Sequence, residues 1–194
     1  MALGETTPGP WEKIERLAAF TLVESGAVRR GRFRLSSGEE TDIYVDARSV
    51  LGKPRVFRAL LSMLYSVFHR YIPEGGVVGV ATGGIPWATG LALTAGVPAG
   101  YVRPQAKEHG LGRRVEGLDP PGEVVVVDDV ATTGGSLLAS IKALREAGFE
   151  VYTAIVLVDR EAGAREKLGE ENVLLLSLTR LSVIRGILEG VQSP

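Results

Sequence analysis

The adjacent carboxylates Asp128 and Asp129 are the side chains best suited to chemistry in this chain of 194 residues. They follow four valines at 124–127, a β-branched run that predicts a buried strand. A short turn of small residues then leads into a helix predicted over 137–147. Open α/β sheets bind ligands at the carboxyl ends of their strands, and the first N–H groups of a helix bind phosphate. This arrangement favours a ligand that carries both hydroxyls and a phosphate, such as a ribose phosphate.

An ordinary strand-to-helix turn with capping side chains is the alternative. Capping accounts for one Asp or one Thr, but not for two consecutive acids followed by Thr-Thr-Gly-Gly-Ser. The segment resembles the phosphoribosyl pyrophosphate (PRPP) motif of the type I phosphoribosyltransferases. The resemblance implies that Asp128 and Asp129 are catalytic and contact the ribose hydroxyls. It also implies that the residues after them bind PRPP, with the 5-phosphate held from position 131 onward: Val130, Ala131, Thr132, Thr133, Gly134, Gly135 and Ser136.

A second turn with paired glycines follows the strand predicted over 77–80. Glycine lacks a Cβ, so the backbone of such a turn can come close to a ligand. On its own, a Gly-Gly pair before a helix is usually only a tight turn, but this one follows a neighbouring strand. It resembles the pyrophosphate loop of the same family, which implies that Thr82 and Gly83 contact PRPP.

The polar stretch 103–117 has no core-forming pattern, and a long loop in a compact domain is either functional or disordered. A solvated charged loop is the alternative interpretation. The Lys-Glu-His-Gly string that begins at Lys107 resembles the mobile catalytic loop of the orotate phosphoribosyltransferases. The resemblance implies that Arg103, Lys107 and His109 contact the pyrophosphate and that Lys107 reaches the partner's active site in a homodimer. The chain departs from the common bacterial pattern at Pro104, where a second basic residue is usual.

Arg160 follows the strand predicted over 151–158. It could pair with Asp159 or Glu161 on the surface, which would contribute little to stability. A guanidinium also forms bidentate hydrogen bonds with a carboxylate. In the orotate enzymes the matching arginine binds the base, and the residue matching Thr132 contacts it as well. Among orotate, uracil and the purines only orotate carries a carboxylate, so Arg160 favours orotate as the substrate.

A hairpin near the N-terminus, with strands predicted over 31–35 and 42–45, resembles the hood that covers the base in the same family. A plain β-hairpin explains the string equally well on physical grounds. The resemblance implies that Tyr44 and Val45 contact orotate. The chain has Ser36 where many bacterial members have lysine, so one charged contact to PRPP is lost.

Strands and helices alternate along most of the chain, which predicts an α/β fold with a mostly parallel sheet flanked by helices. We expect the type I phosphoribosyltransferase fold with a small N-terminal hood of one helix and the hairpin. Residues 1–194 are predicted to form one domain, with the hood to about residue 50, the core over about 51–194 and a mobile loop at 103–117. The further strands are predicted at 99–102 and 173–177, and the further helices at 10–26, from 54, at 86–95, at 162–168 and up to 189.

Composition excludes several classes of function. The formal charge of −1 gives no field for nucleic acid or an anionic membrane, and no segment is apolar enough to span one. With no cysteine and two histidines, thiolate catalysis and a cysteine- or histidine-rich metal site are not expected. No signal peptide is recognisable, which predicts a cytoplasmic protein. The cofactor that the resemblance implies is Mg²⁺, held mainly by PRPP and water with no direct protein ligand.

The expected reaction transfers the ribose 5-phosphate of PRPP to orotate, giving orotidine 5-phosphate and pyrophosphate in pyrimidine synthesis. One alternative is a phosphoribosyltransferase for uracil or a purine. Another is a PRPP-binding regulator without turnover, although such proteins usually carry a DNA-binding extension or lack the loop residues. A generic nucleotide-binding domain is disfavoured because neither G-x-G-x-x-G nor the P-loop pattern is present.

Overall fold

The computed structural model describes residues 9–34, 38, 40–103, 114–119 and 121–190. Two short 3₁₀ helices at Ala47–Gly52 and His69–Tyr71 lie on either side of the second helix. The strands are β1 Val28–Arg34, β2 Glu40–Val45, β3 Val77–Val80, β4 Ala99–Val102, β5 Val115–Glu116, β6 Glu123–Ala131, β7 Glu150–Asp159 and β8 Leu174–Arg180. The helices are α1 Pro10–Glu24, α2 Pro54–Phe68, α3 Ile85–Ala95, α4 Gly135–Glu146, α5 Ala164–Gly169 and α6 Leu181–Leu188. Within the described ranges, none of these helices is long and apolar enough to cross a bilayer.

The six-stranded sheet has the order β5-β4-β3-β6-β7-β8. All its neighbouring pairs are parallel except β4 and β5, which run antiparallel at one edge. The strand order reverses between β3 and β6, because β3 leads outward to β4 whereas β6 leads the opposite way to β7 and β8. Such a switch point leaves a crevice beyond the carboxyl ends of the two strands, where ligands bind in open α/β sheets. The fold confirms the α/β expectation.

Both faces of the sheet are covered, which explains the unbroken apolar strands. On one face, Val125 and Val127 of β6 belong to the core formed with α1, α2, α3 and α6. On the other, Val124 and Val126 pack with α4 and α5. Because successive side chains of a strand point to opposite faces, the valine run supplies both cores at once. The central strands are therefore rigid supports for the turns at their ends.

The hairpin β1–β2 forms a separate two-stranded antiparallel sheet. Ile43 is 2% exposed and belongs to the core under α1. Polar contacts tie the hairpin to α6, where both terminal nitrogens of Arg185 donate to Asp42 at 2.7 and 2.8 Å. The side chain of Arg30 donates to the carbonyl of Leu188 at 2.5 Å. The predicted hood is thus present, and it is anchored to the last helix.

Several predicted boundaries were wrong, and one of them matters for the site. The strand expected to end before Asp128 continues to Ala131, since Asp128, Val130 and Ala131 stay paired with β7. Helix α4 begins at residue 135 rather than 137, so the turn between β6 and α4 is shorter than predicted at both ends. The polar stretch after residue 102 includes the short strand β5, and β8 runs to Arg180 rather than ending at 177. The strands differ from their predicted bounds because backbone pairing with a neighbouring strand continues beyond the apolar run that the sequence shows.

Candidate active site

A cleft of about 410 Å³ lies at the carboxyl ends of β3 and β6, beside the hairpin. It brings together both turns that the sequence singled out and the residues of the hairpin that were expected to cover a base. Its lining consists of Arg34, Tyr44, Val45, Arg48, Val80, Ala81, Thr82, Gly83, Asp128, Asp129, Val130, Thr132, Ser136 and Arg160. The cleft lies at the switch point of the sheet, where its topology predicts a ligand site.

The acidic pair lies inside the last part of β6. Asp128 is buried, with 6% of its surface exposed, and its Oδ1 accepts the N–H of Asp129 at 2.9 Å. Oδ1 of Asp129 accepts the N–H of Val130 at the same distance, 2.9 Å. Burial, and after it the charge of Asp129, raises the pKa of Asp128 well above its ordinary value. The pair therefore offers two adjacent carboxyl groups, one buried and one more exposed, a combination suited to hydrogen bonds with two hydroxyls.

The turn after β3 packs closely against this pair through its two glycines. A Cβ at Gly83 would lie 2.5 Å from Cγ of Asp129. A Cβ at Gly84 would lie 2.1 Å from the carbonyl oxygen of Val127. The peptide bond between Ala81 and Thr82 is cis. The two predicted turns thus meet, and the paired glycines allow the contact.

The turn between β6 and α4 contributes Thr132 and Ser136 to the cleft. Gly134 adopts φ +74°, and a Cβ there would lie 3.0 Å from Leu168 and 3.1 Å from Ala164. The N-terminus of α4, a helix of 12 residues, begins at the next position, and its first N–H groups have no partner within the helix. Thr133, Gly134 and Gly135 belong to the turn without lining the cleft, and Ala131 is a buried strand residue.

Arg160, at the end of β7, is 8% exposed and faces the hairpin. Its Nη1 donates to the carbonyl of Ile43 at 3.1 Å and its Nη2 to Oγ1 of Thr41 at 2.9 Å. The acids that flank it have other partners. Asp159 pairs with Arg165 at 3.2 Å, and Glu161 accepts hydrogen bonds from Ser182 at 2.8 and 3.0 Å. The guanidinium therefore lies between the sheet and the predicted base cover, with Tyr44 and Val45 in the same cleft.

The loop residues expected to contact pyrophosphate are not all placed. Lys107 and His109 lie outside the described residues, as do Pro104 and Ser36. Arg103 is described, but it is not among the residues that line the cleft. Its Nη2 donates to the hydroxyl of Tyr101 at 3.2 Å and lies 3.8 Å from Oε1 of Glu116, with the guanidinium 5.2 Å from the Tyr101 ring.

Two cations of the cleft were missed by the sequence analysis. Arg34 ends β1, and Arg48 lies in the 3₁₀ helix Ala47–Gly52. Arg34 lies in the strand matched to the hood but was given no role, Arg48 lies beyond that string, and arginine in an exposed hairpin or turn is ordinarily a solvated residue. The signal that could have found Arg48 is its position three residues after Val45, on the same predicted base cover.

A larger hollow of about 670 Å³ lies elsewhere, between α1, α5 and the edge strand β8. Its buried acids are already neutralised, because Glu15 pairs with Arg180 at 2.7 Å and Asp159 with Arg165 at 3.2 Å. It contains neither glycine turn and neither member of the acidic pair. Size alone therefore does not identify the active site here, and we assign it to the smaller cleft.

Comparison with known proteins agrees with this geometry. A family described as "Phosphoribosyl transferase domain" matches residues 59–177. The orotate phosphoribosyltransferase of Aeropyrum pernix is 47% identical over 174 residues, which are 89% of this chain and 94% of that protein. The orotate phosphoribosyltransferase of Pyrobaculum islandicum is 46% identical over 88% of both chains. The crystal structure of the A. pernix enzyme superposes with a TM-score of 0.80, covering 89% of this chain and 99% of that one at 46% identity.

Proposed function

The chain belongs to the orotate phosphoribosyltransferases, and on that premise we propose that its cleft between β3 and β6 transfers the ribose 5-phosphate of PRPP to orotate. The ring nitrogen of orotate forms a bond to C1 of the ribose and releases its proton. The bond between C1 and the pyrophosphate oxygen breaks, and its electron pair leaves with pyrophosphate. The products are orotidine 5-phosphate and pyrophosphate, a step of pyrimidine synthesis. One observation supports this assignment most directly. Asp128 and Asp129 lie at the switch point of the sheet, next to the glycine turns that follow β3 and β6.

The roles divide along the cleft. Asp128 and Asp129 accept hydrogen bonds from the ribose hydroxyls, which fixes the sugar ring. The turn residues 132–136 and the first N–H groups of α4 hold the 5-phosphate. Thr82 and Gly83 contact the pyrophosphate with backbone N–H groups. These assignments follow the resemblance, and the packing of Gly83 against Asp129 supports them, because the turn after β3 meets the acidic pair.

Orotate would bind beside Arg160, in the part of the cleft that the hairpin lines. Two nitrogens of Arg160 bond the hairpin, which holds the guanidinium in place for a bond with the carboxylate of the base. Thr132, Tyr44 and Val45 line the same space and would contact the ring. Burial strengthens a bond between Arg160 and a carboxylate, since the local dielectric is low.

Catalysis in this site depends on positioning and electrostatics. No nucleophilic side chain is required, because the base itself attacks. Alignment of bound reactants contributes roughly 7–11 kcal/mol to lowering a barrier of this kind. Positive charge develops on the ribose and negative charge on the pyrophosphate. We assign neutralisation of the leaving group to Lys107 and His109 of the loop, with Arg103 at its base.

Mg²⁺ is the proposed cofactor. Within the described ranges no group of three or more His, Cys, Asp or Glu residues is placed to hold a metal. The two carboxyl groups of Asp128 and Asp129 in the cleft fit Mg²⁺, which keeps several waters and binds through few protein carboxylates together with substrate phosphates. Asp128 and Asp129 are the acids near it, and they would orient it through the ribose hydroxyls. When bound, the ion supplies positive charge to the pyrophosphate oxygens.

A homodimer in which Lys107 of one subunit acts in the active site of the other remains a prediction from the resemblance. The same holds for a single domain over 1–194 with a mobile loop at 103–117, and for a cytoplasmic location. The dimer has the sharpest consequence, because it makes each active site dependent on a residue from the partner.

An assay with PRPP and Mg²⁺ tests the function directly. We expect the absorbance change of orotate consumption, and no transfer to uracil, adenine or hypoxanthine. Transfer to one of those bases in place of orotate would overturn the role given to Arg160. Binding of PRPP with no transfer to any base would instead identify a regulator.

A further inference from the structure

The described lining of the cleft contains acidic as well as basic side chains, although the proposed ligand, PRPP, carries a high negative charge. Two of its lining residues are the acids Asp128 and Asp129. Of its three arginines, Arg160 is engaged with Thr41 and Ile43 of the hairpin. Arg103, expected to supply a cation, is instead paired with Glu116 at 3.8 Å outside the lining. The remaining cations of the described lining are Arg34 and Arg48.

Arg48 is exposed but projects from a fixed backbone. It follows Ala47 and precedes Val50, which are 1% and 0% exposed, so the 3₁₀ helix is pinned on both sides of it. The N–H of Asp46 donates to the carbonyl of Ala27 at 2.7 Å, and the Ser49 hydroxyl donates to the carbonyl of Asp46 at 2.7 Å. A side chain on such a support loses less entropy when it binds a ligand than one on a loose loop.

Arg34 enters the cleft from the end of β1, next to Tyr44. The neighbouring ring of Phe33 stacks on Tyr44 with centroids 5.3 Å apart, which fixes the strand end beside the base cover. Over the part of the chain that the structure describes, the side chains of Arg34 and Arg48 form no hydrogen bond and no ion pair. Both guanidiniums therefore keep all their donors for a ligand.

We propose that Arg48 and Arg34 bind the pyrophosphate group of PRPP, and of the product pyrophosphate, from the hood side of the cleft. The proposal rests on the proposed function. The 5-phosphate already has the N-terminus of α4 and the turn residues 132–136. The pyrophosphate is the more highly charged group, and in the proposed arrangement the turn with Thr82 and Gly83 faces it from the sheet side. Guanidinium binds phosphate oxygens bidentately, which makes arginine suited to this place.

The two departures from the family pattern agree with this assignment. Ser36 and Pro104 stand where basic residues are usual in bacterial members, so the chain lacks two cations of the common arrangement. Arg34 lies two positions before Ser36 in the sequence and ends β1. The positive charge of the site is thus supplied from other positions of the hood.

Binding of inorganic pyrophosphate and of ribose 5-phosphate, each measured by calorimetry in magnesium buffer, tests the proposal. We expect Arg48→Gln and Arg34→Gln each to weaken pyrophosphate binding by roughly tenfold or more, because a hydrogen bond to a charged group is lost. Ribose 5-phosphate should bind as in the wild type. Arg48→Lys should recover part of the affinity, since it restores charge without the bidentate geometry.

Arg29→Gln and Arg55→Gln are the matched controls. They remove the same charge from exposed positions of the hairpin and of the start of α2, and neither lines the cleft. Pyrophosphate affinity within twofold of the wild type in both Arg48→Gln and Arg34→Gln would overturn the proposal. An equal loss for ribose 5-phosphate would also overturn it. If the wild type fails to convert orotate, the proposed function is contradicted instead. The comparison of pyrophosphate binding between the wild type and the arginine variants remains valid in that case.

Discussion

Arg160 and Thr41 are joined by a hydrogen bond of 2.9 Å between Nη2 of the arginine and Oγ1 of the threonine. The arginine belongs to the end of β7 and the threonine to the hairpin, 119 residues apart in sequence. Thr41 is itself fixed, because its hydroxyl donates to the carbonyl of Ile43 at 3.0 Å. Arg160, the proposed base-binding cation, and the hairpin, the predicted base cover, therefore fix each other's position.

Arg160→Ala should weaken orotate binding far more than PRPP binding. Loss of hydrogen bonds between a buried guanidinium and a carboxylate costs about 1.5–3 kcal/mol, or roughly a tenfold to hundredfold change in affinity. Thr41→Val is the matched variant, because it removes the acceptor but leaves the cation, and we expect a smaller loss. KM values measured separately for orotate and for PRPP show how much each variant weakens the binding of each substrate. Unchanged orotate affinity in Arg160→Ala would contradict the assignment of the base.

Asp128→Asn should raise stability while it lowers turnover. The pKa of Asp128 is raised in the folded protein above 3.8, so the folded state binds more protons than the unfolded state just above that pH. Stability is then lost as the pH rises from 3.8 through the raised pKa, and the loss persists at neutral pH. Asparagine does not ionise, so it removes the free-energy cost of burying the Asp128 charge. Each ~1 kcal/mol of unfolding free energy gained raises the Tm by about 2–4 °C in a domain of this size.

Melting curves of Asp128→Asn at neutral and acidic pH check that prediction. The gain in Tm should be largest at pH 7 and should shrink near pH 3. Asp119→Asn, at an exposed position, serves as the control and should change the Tm little. A lower Tm at pH 7 for the asparagine variant would show that the buried carboxylate is stabilising instead.

Gly83→Ala should impair PRPP binding with little effect on the fold. The new methyl group would lie 2.5 Å from Cγ of Asp129, and the carboxylate must move away to accommodate it. Displacing a group that positions substrate by about 1 Å reduces rates by about 100-fold. Gly186→Ala is the control, because nothing lies within 4 Å of its added Cβ and alanine favours the helix. Normal kinetics in Gly83→Ala would argue against a role of Asp129.

Lys107→Ala should lower turnover far more than PRPP affinity, because the lysine acts on the charge that develops in the transition state. Lys13→Ala, an exposed lysine of α1, should leave both unchanged. An unchanged rate in Lys107→Ala would exclude the loop from the mechanism.

Hybrid dimers distinguish action in the partner's site from action in the same subunit. Lys107→Ala and Asp129→Ala chains are refolded together in equal amounts. If Lys107 acts across the interface, each hybrid keeps one intact site, and about a quarter of the wild-type activity returns in a randomly assorted twofold dimer. No recovery in the mixture would place the lysine in its own subunit's site.

Sequence alone was sufficient wherever chemistry follows from local pattern. The valine run identified β6, and the acids with the small residues after them identified the cleft. The end of β6 was wrong because pairing with β7 carries the strand through Asp128 to Ala131, and sequence pattern does not contain that pairing. Arg34 and Arg48 were missed because only the folding of the hood over the sheet brings them to the acids. Arg103 was placed by resemblance, and its pairing with Glu116 depends on the antiparallel strand β5.

The anchoring of the hood has a consequence for the order of assembly. The hairpin leaves the ribosome early, yet its contacts Arg185–Asp42 and Arg30–Leu188 span 143 and 158 positions. The hairpin can therefore form these two contacts only after α6 has been synthesised, although the hairpin is among the first segments to be translated.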